Sequence, residues 1–241
     1  MSNTNTNTGQ TAVITGATRG LGAALARTLA ARGWNLIITA RHADRLRTIR
    51  DELSSTTHVA ALAGDITSQE HRNALGILAR GHAGVDAVIN NAGALGPSPL
   101  PPILDLQPDS LRAVLEANVI APLGLIQSVR PWLKPRARIV NVTSDAAVNA
   151  YAGWGGYGAS KAAFEQLSSV MAVESPELLV YWVDPGDMRT DMHQDAYPGE
   201  DISDRPLPDE RVPAFIELLE GNLASGRYTA ESLLRELGAV A

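Results

Sequence analysis

Short apolar runs separated by longer stretches of helical period constrain this chain more than any other feature. Residues 12–15, 35–39, 58–62, 85–90, 138–143 and 179–184 read as strands. Helices are predicted between them at about 21–32, 44–53, 68–80, 109–133 and 157–173. Strands that are apolar almost throughout are strands buried on both faces. Alternation with helices of this length means βαβ units, so the pattern predicts a parallel sheet covered on both sides. With 241 residues, 45% of them hydrophobic, the chain can bury one large α/β core or two small domains. No composition shift marks a linker. The polar opening, residues 1–10, is expected to be a disordered tail, and 11–241 a single domain.

Charge and cysteine usage narrow the partners. The net charge is −6, without a Lys/Arg-rich run, which argues against a nucleic-acid partner. Cysteine is absent, which excludes disulfides and thiolate metal sites, and the five histidines show no metal-ligand spacing. His193 with Asp191 is too slight a pair to make a metal site. No apolar run approaches the ~20 residues of a membrane span. The expectation is a soluble cytoplasmic protein.

Between the first strand and first helix lies Thr15-Gly-Ala-Thr-Arg-Gly-Leu-Gly22. Gly16, Gly20 and Gly22 let the backbone turn tightly and approach a pyrophosphate at the helix N-terminus. Their spacing is G-x-x-x-G-x-G, not the general G-x-G-x-x-G fingerprint. Far downstream, Tyr157 and Lys161 are four residues apart on a predicted helix, so they share one face. A nearby ammonium favours the phenolate and draws a tyrosine towards acid/base work at neutral pH. Ser144, closing the apolar run before them, offers a hydroxyl for the same substrate oxygen.

Taken together, Thr15-Gly-x-x-x-Gly-x-Gly22, Asn90-Asn91-Ala92-Gly93, Asn118, Ser144, Tyr157-x-x-x-Lys161 and Pro185-Gly186 resemble the classical short-chain dehydrogenase/reductase family over about residues 11–190. The resemblance implies an α/β fold, a Rossmann-like doubly wound parallel sheet with helices on both faces. It implies Tyr157 as catalytic acid/base, Lys161 as its modulator and nicotinamide-ribose contact, Ser144 as polariser of the substrate oxygen, and Asn118 as anchor of a proton-relay water. Cofactor contacts are implied at Gly16, Thr18, Arg19, Gly20, Leu21, Gly22, Arg41, Asp65, Ile66, Asn91, Ala92, Gly93, Tyr157, Lys161, Pro185, Gly186 and Thr190. Substrate contacts are expected at Ser144, Tyr151, Trp154 and Met188, and the assembly as a homodimer or homotetramer.

Some positions carry two readings. Pro122, inside the predicted long helix, removes the donor for the Asn118 carbonyl, which either frees an acceptor for a water or simply kinks the helix. Asp65 touches the adenine by resemblance, caps the turn before Thr67, or does both. Asn90 and Asn91 tie neighbouring strands together.

Cofactor choice follows from the second strand. An NAD site places Asp or Glu at its end, but here it ends Ile38-Thr39-Ala40-Arg41, and Arg19 lies in the glycine turn. Two guanidinium groups suit a 2′-phosphate, so NADP(H) is the expected cofactor. Asp44, near a helix start, either pairs with Arg41 or serves the helix end. After Thr190 the chain turns acidic and Pro-rich. Residues 191–224 are expected to form a substrate lid, mobile over 191–211 with a helix over 212–223, before a short strand at 226–229 and a helix at 231–237. The reaction expected is carbonyl–alcohol interconversion on a small molecule. Alternatives are an epimerase or dehydratase on the same scaffold, or a non-catalytic cofactor sensor.

Overall fold

A computed structural model describes residues 9–238. The tail expected over 1–10 therefore lies outside the described residues, apart from Gly9 and Gln10. Seven strands form one parallel sheet: β1 (Thr11–Thr15), β2 (Asn35–Ala40), β3 (Val59–Ala63), β4 (Val85–Asn90), β5 (Leu133–Val142), β6 (Leu179–Asp184) and β7 (Gly226–Thr229). They lie in the order β3-β2-β1-β4-β5-β6-β7. The strand order reverses between β1 and β4, and the carboxyl ends on either side of that point leave the crevice in which doubly wound folds bind ligands.

Every residue of β1 is buried, because helices cover both faces. Side chains alternate across the sheet, so Ala12 and Ile14 join one core and Val13 the other. The first core takes helices α1 (Gly20–Ala31), α2 (Ala43–Leu53), α8 (Val212–Glu220) and α9 (Ala230–Glu236). The second takes α3 (Gln69–Arg80), α5 (Ala121–Val129) and part of α6 (Gly155–Glu174). Among the described residues no helix is long and apolar enough to cross a membrane.

Two stretches depart from the sequence reading. The helix expected over 109–133 is broken: α4 (Pro108–Leu115) passes into a π-helical turn, Glu116–Ile120, and then α5. In the π turn the Ala121 N–H reaches back five residues to the Glu116 carbonyl. Pro122, next in line, has no N–H to continue the normal ladder. The helix ends at Val129 before a tight turn containing Pro131, and β5 starts at Leu133, five residues before the expected strand. Its register with β4 is irregular: from Val85↔Leu133 to Ala87↔Arg138 there are five steps on β5 against two on β4. Arg136 in this excess has φ +61°.

The expected non-regular lid is partly helical. Residues Asp191–Ala196 form α7, whose N-cap Thr190 accepts a hydrogen bond from the His193 N–H at 3.2 Å. Residues 197–207 remain turns, and Pro208–Arg211 is a short 3₁₀ turn leading into α8.

Candidate active site

One cleft of about 1010 Å³ runs across the carboxyl ends of the strands. It is bounded by the glycine turn at one end and by Ser144, Tyr157 and Lys161 at the other. Of the residues expected to bind cofactor, all but Gly22 line it, and the four expected substrate contacts line it too. Gly22 is buried beneath the turn: a Cβ there would press on the Gly16 carbonyl and stand 2.5 Å from Asn91 Nδ2. Its role is close helix–strand packing. Gly16 is needed for its backbone, with φ +67°, a conformation that side-chain-bearing residues avoid.

Asn90 and Asn91 tie strands together, as expected. Asn91 Nδ2 donates to the Thr15 carbonyl at 3.0 Å, and the backbone N–H groups of Asn91 and Ala92 both donate to Thr15 Oγ1. Asn90 Nδ2 donates to Asn141 Oδ1 at 2.8 Å, and Asn141 Nδ2 donates to Ser168 Oγ on α6 at 2.8 Å. Asn118 does not line the cleft. It sits in the π turn behind Gly93, accepting from the Ala94 N–H at 2.7 Å and donating to the Ala94 carbonyl and to Ser160 Oγ, each at 2.9 Å. Its side chain thus clamps the loop after β4 to helix α6. A side chain at Gly93 would put its Cβ 3.1 Å from Asn118 Oδ1.

The end of the cleft that holds Ser144, Tyr157 and Lys161 is built on α6 and on the exit of β5. The helix begins at Gly155, so Tyr157 lies in its first turn and Lys161 one turn later. Both are buried, at 9% and 5% exposure. The Lys161 ammonium donates to the Val142 carbonyl at 2.8 Å and lies 5.5 Å from the Tyr157 ring centroid. Burial pushes the lysine pKa down to about 8, against the pull of the Glu165 carboxylate. Tyr157 departs from expectation: burial, with the Asp184 and Asp145 carboxylates adding to it, raises its phenol above the ordinary value. Desolvation of the phenolate sets the direction of that shift. Trp154 packs edge-on against the Tyr157 ring, with centroids 5.7 Å apart.

Ser144 ends the run from β5 and caps a short turn. Its Oγ donates to Asp145 Oδ1 at 3.0 Å and accepts from the Ala146 N–H at 3.1 Å. The Tyr151 hydroxyl donates to Asp145 Oδ2 at 2.7 Å, so one carboxylate gathers two of the expected substrate contacts. Sequence reasoning passed over Asp145, though a carboxylate directly after Ser144 was a signal. It also passed over Asp184, buried before Pro185, whose carboxyl is raised by that burial even though it accepts from the Gly186 N–H at 2.9 Å. Met192, His193 and Tyr197 on and after α7 line the same end of the cleft, and the Tyr197 ring lies 6.1 Å from Trp154. A three-dimensional meeting of this kind leaves no local sequence signal.

At the other end, Asp65 accepts from the Thr67 N–H at 2.9 Å and from Thr67 Oγ1 at 2.8 Å. The Thr67 N–H lowers its pKa most, and Arg41 adds to the effect. The turn-capping reading of Asp65 is thus realised at a position that still lines the cleft. Asp44 pairs with Arg47, not with Arg41. Arg41 makes no ion pair among the described residues, whereas Arg19 pairs with Asp191 at the start of α7.

The family model for short chain dehydrogenases matches residues 10–201. Sepiapterin reductase of Xenopus laevis is 31% identical over 238 residues, covering 92% of this chain and 88% of that protein. Serine 3-dehydrogenase of Rhizobium radiobacter is 39% identical over 163 residues, 66% of this chain and 63% of that protein, so the match spans less than two thirds of that relative. Among solved structures, a short chain dehydrogenase of Shigella flexneri 2a complexed with NADP superposes with a TM-score of 0.87 at 27% identity, covering 93% of this chain and 98% of the other. The sheet order, the glycine turn, the Ser144, Tyr157 and Lys161 arrangement and these matches agree, and the chain belongs to the short chain dehydrogenase family.

Proposed function

We propose that this chain is an NADP(H)-dependent oxidoreductase interconverting a carbonyl and an alcohol on a small-molecule substrate. The observation that carries the reading is the convergence of Ser144, Tyr157 and Lys161 on a cleft whose far end presents the glycine turn, Arg19 and Arg41. The residues fit a dinucleotide. The first turn of α1 has no acidic residue and no capping side chain, which leaves its N–H groups for a pyrophosphate. Gly20 adds bare backbone there, since a Cβ would meet nothing nearer than Thr190 Cγ2 at 3.5 Å. Arg41 and Arg19 supply positive charge for a 2′-phosphate.

Gly16, Gly20, Ala92, Gly93, Pro185 and Gly186 would hold the cofactor along the cleft, with Lys161 at its ribose. When bound, the nicotinamide supplies or accepts the hydride. In the reductive direction Tyr157 Oη protonates the carbonyl oxygen. Burial keeps the phenol protonated until that moment, so it arrives as an acid. Ser144 Oγ turns its proton from Asp145 to the same oxygen, polarising the carbonyl. The Lys161 ammonium, held on the Val142 carbonyl, offsets the negative charge that grows on the phenol oxygen as its proton leaves. Tyr151, Trp154 and Met188 face the substrate, and residues 191–211 close over it to exclude water.

The test is NADPH consumption by the purified protein across a panel of aldehydes, ketones and quinones, read by loss of cofactor absorbance. Turnover of any of them, abolished in Tyr157→Phe, supports the assignment. Tight NADPH binding without turnover of any member would assign the chain to cofactor sensing instead.

A further inference from the structure

Outside the residues matched by the family model, strand β7 carries a charged side chain that reaches under the site. Arg227 Nε donates to Glu165 Oε1 at 3.0 Å and to Oε2 at 3.2 Å, and its Nη2 donates to the Ser144 carbonyl at 3.4 Å. The same Nη2 lies 3.8 Å from Asp184 Oδ2, directly before the Pro185-Gly186 turn. Glu165, one helical turn beyond Lys161 on α6, also accepts from Thr143 Oγ1 at 2.8 Å. The arginine and glutamate side chains are 27% and 12% exposed, so this charge pair is partly shielded from solvent.

One guanidinium therefore meets three separately positioned parts of the site: the Ser144 strand end, the helix bearing Tyr157 and Lys161, and the carboxyl end of β6. An arginine fork fixes direction as well as distance, which a lone ammonium does not. We infer that Arg227 and Glu165 are positioning residues of the catalytic centre: Arg227 sets Ser144 and α6 in register, and its hold on Glu165 sets how much of that carboxylate's charge reaches Lys161. The kinetic consequence rests on the oxidoreductase reading above, whereas the electrostatic one does not.

Several other charged or titratable groups lie on elements packed around Lys161. Tyr157 shares its helix, Asp145 follows β5, and Asp184 ends β6. Glu116 belongs to the π turn, and on α4 Asp109 and Arg112 pair with each other at the surface. The loop after β4, Asn91 to Ala94, brings no charge. Glu165 is the group that raises the proton affinity of Lys161, so removal of its charge has a defined sign.

The sequence makes this measurable, because lysine occurs only at positions 134 and 161. The whole chain labelled with ¹³C at the lysine ε-carbon gives two signals, assigned by Lys134→Arg, and each is titrated by NMR. In Glu165→Gln the Lys161 midpoint moves down by about one pH unit. In Arg227→Gln it moves up, because the glutamate loses its competing partner. Turnover in Arg227→Gln falls by about tenfold or more, with the cofactor KM held within about twofold. Arg227→Lys, read in the Lys134→Arg background so that the added lysine is the second signal, returns the Lys161 midpoint towards wild type but leaves turnover low, since an ammonium cannot reproduce the fork.

A Lys161 midpoint unmoved in Glu165→Gln and in Arg227→Gln overturns the inference, as does full turnover in Arg227→Gln. If Arg227→Gln fails to fold, Glu165→Gln and Arg227→Lys carry the same test. A wild-type protein without carbonyl turnover, but with midpoints shifted in opposite directions, would defeat the proposed reaction and leave the electrostatic role standing.

Discussion

Arg41→Ala should weaken NADPH far more than NADH, and the structure sets the size of the effect. Arg41 stands at the end of β2 with no ion pair among the described residues, because Asp44 is engaged by Arg47. Its guanidinium is therefore free to bind the 2′-phosphate. Charge-assisted hydrogen bonds of this kind contribute about 1.5–3 kcal/mol, or roughly 10- to 150-fold in affinity. Arg19 is worth less, because it must first give up Asp191. Both side chains of that pair are more than half exposed, at 53% and 65%, and a surface pair contributes only ~0–1 kcal/mol. Arg19→Ala should accordingly cost about 3- to 10-fold. Asp191→Ala, which releases Arg19, should tighten NADPH by up to about fivefold. The assay is kcat/KM for both cofactors in each variant, with Kd by fluorescence titration of the reduced cofactor. The expected order of loss for NADPH is the double mutant, then Arg41→Ala, then Arg19→Ala, with NADH nearly unchanged throughout. Equal use of the two cofactors by the wild-type protein, or an unchanged preference in Arg41→Ala, refutes the reasoning.

Tyr157→Phe should lower kcat by about 10²- to 10⁴-fold while NADPH Kd stays near wild type, since the ring still packs on Trp154; near-normal turnover would remove Tyr157 from the mechanism. Lys161 has a folded pKa of about 8 against 10.5 when unfolded, so below pH 8 both states carry the charge and its burial cost is felt in full. Between 8 and 10.5 the unfolded chain holds a proton that the folded protein has shed, and stability rises with pH. Lys161→Met should thus be more stable than wild type at pH 7, by on the order of 3 kcal/mol, with the difference fading towards pH 10.5; urea melts showing no such fading would contradict the shift. Amide exchange over residues 191–211 should slow when NADPH and substrate analogue bind together, and equal protection with and without them would make the segment a fixed loop.

The sheet and most helices were legible because doubly buried strands are apolar throughout, and the strand and helix boundaries fall within a few residues of those read from the pattern. Residues 109–133 were not, because helical periodicity continues smoothly through Asn118 while a single missing donor at Pro122 changes the hydrogen-bond register. The start of β5 was hidden by Pro131 and Pro135, which look like loop punctuation yet flank residues already paired to Val85. The reacting end was legible where its members sit at fixed local spacing, as Tyr157 and Lys161 do. Asp184, Tyr197 and Arg227 come together only by folding, and no spacing announces them. The rise in the Tyr157 pKa was likewise out of reach, because it is set by burial.

The irregular start of β5 gives the Asn90–Asn141 pair a consequence of its own. With three surplus residues on one strand, hydrophobic burial alone would tolerate several alignments of β5 against β4, since valine and isoleucine recur along both. A buried amide pair tolerates one, because any slide strands polar groups away from water. The amide bond between Asn90 and Asn141 works as a registration mark, read again by Ser168 from the helix above. A slip of two residues would carry Ser144 about 7 Å along the strand, out of reach of Tyr157, while leaving the apolar faces matched. Alignment of Ser144 with Tyr157 is thus encoded in a contact outside the cleft, and errors in it would leave a protein that is compact and well packed but without the proposed site.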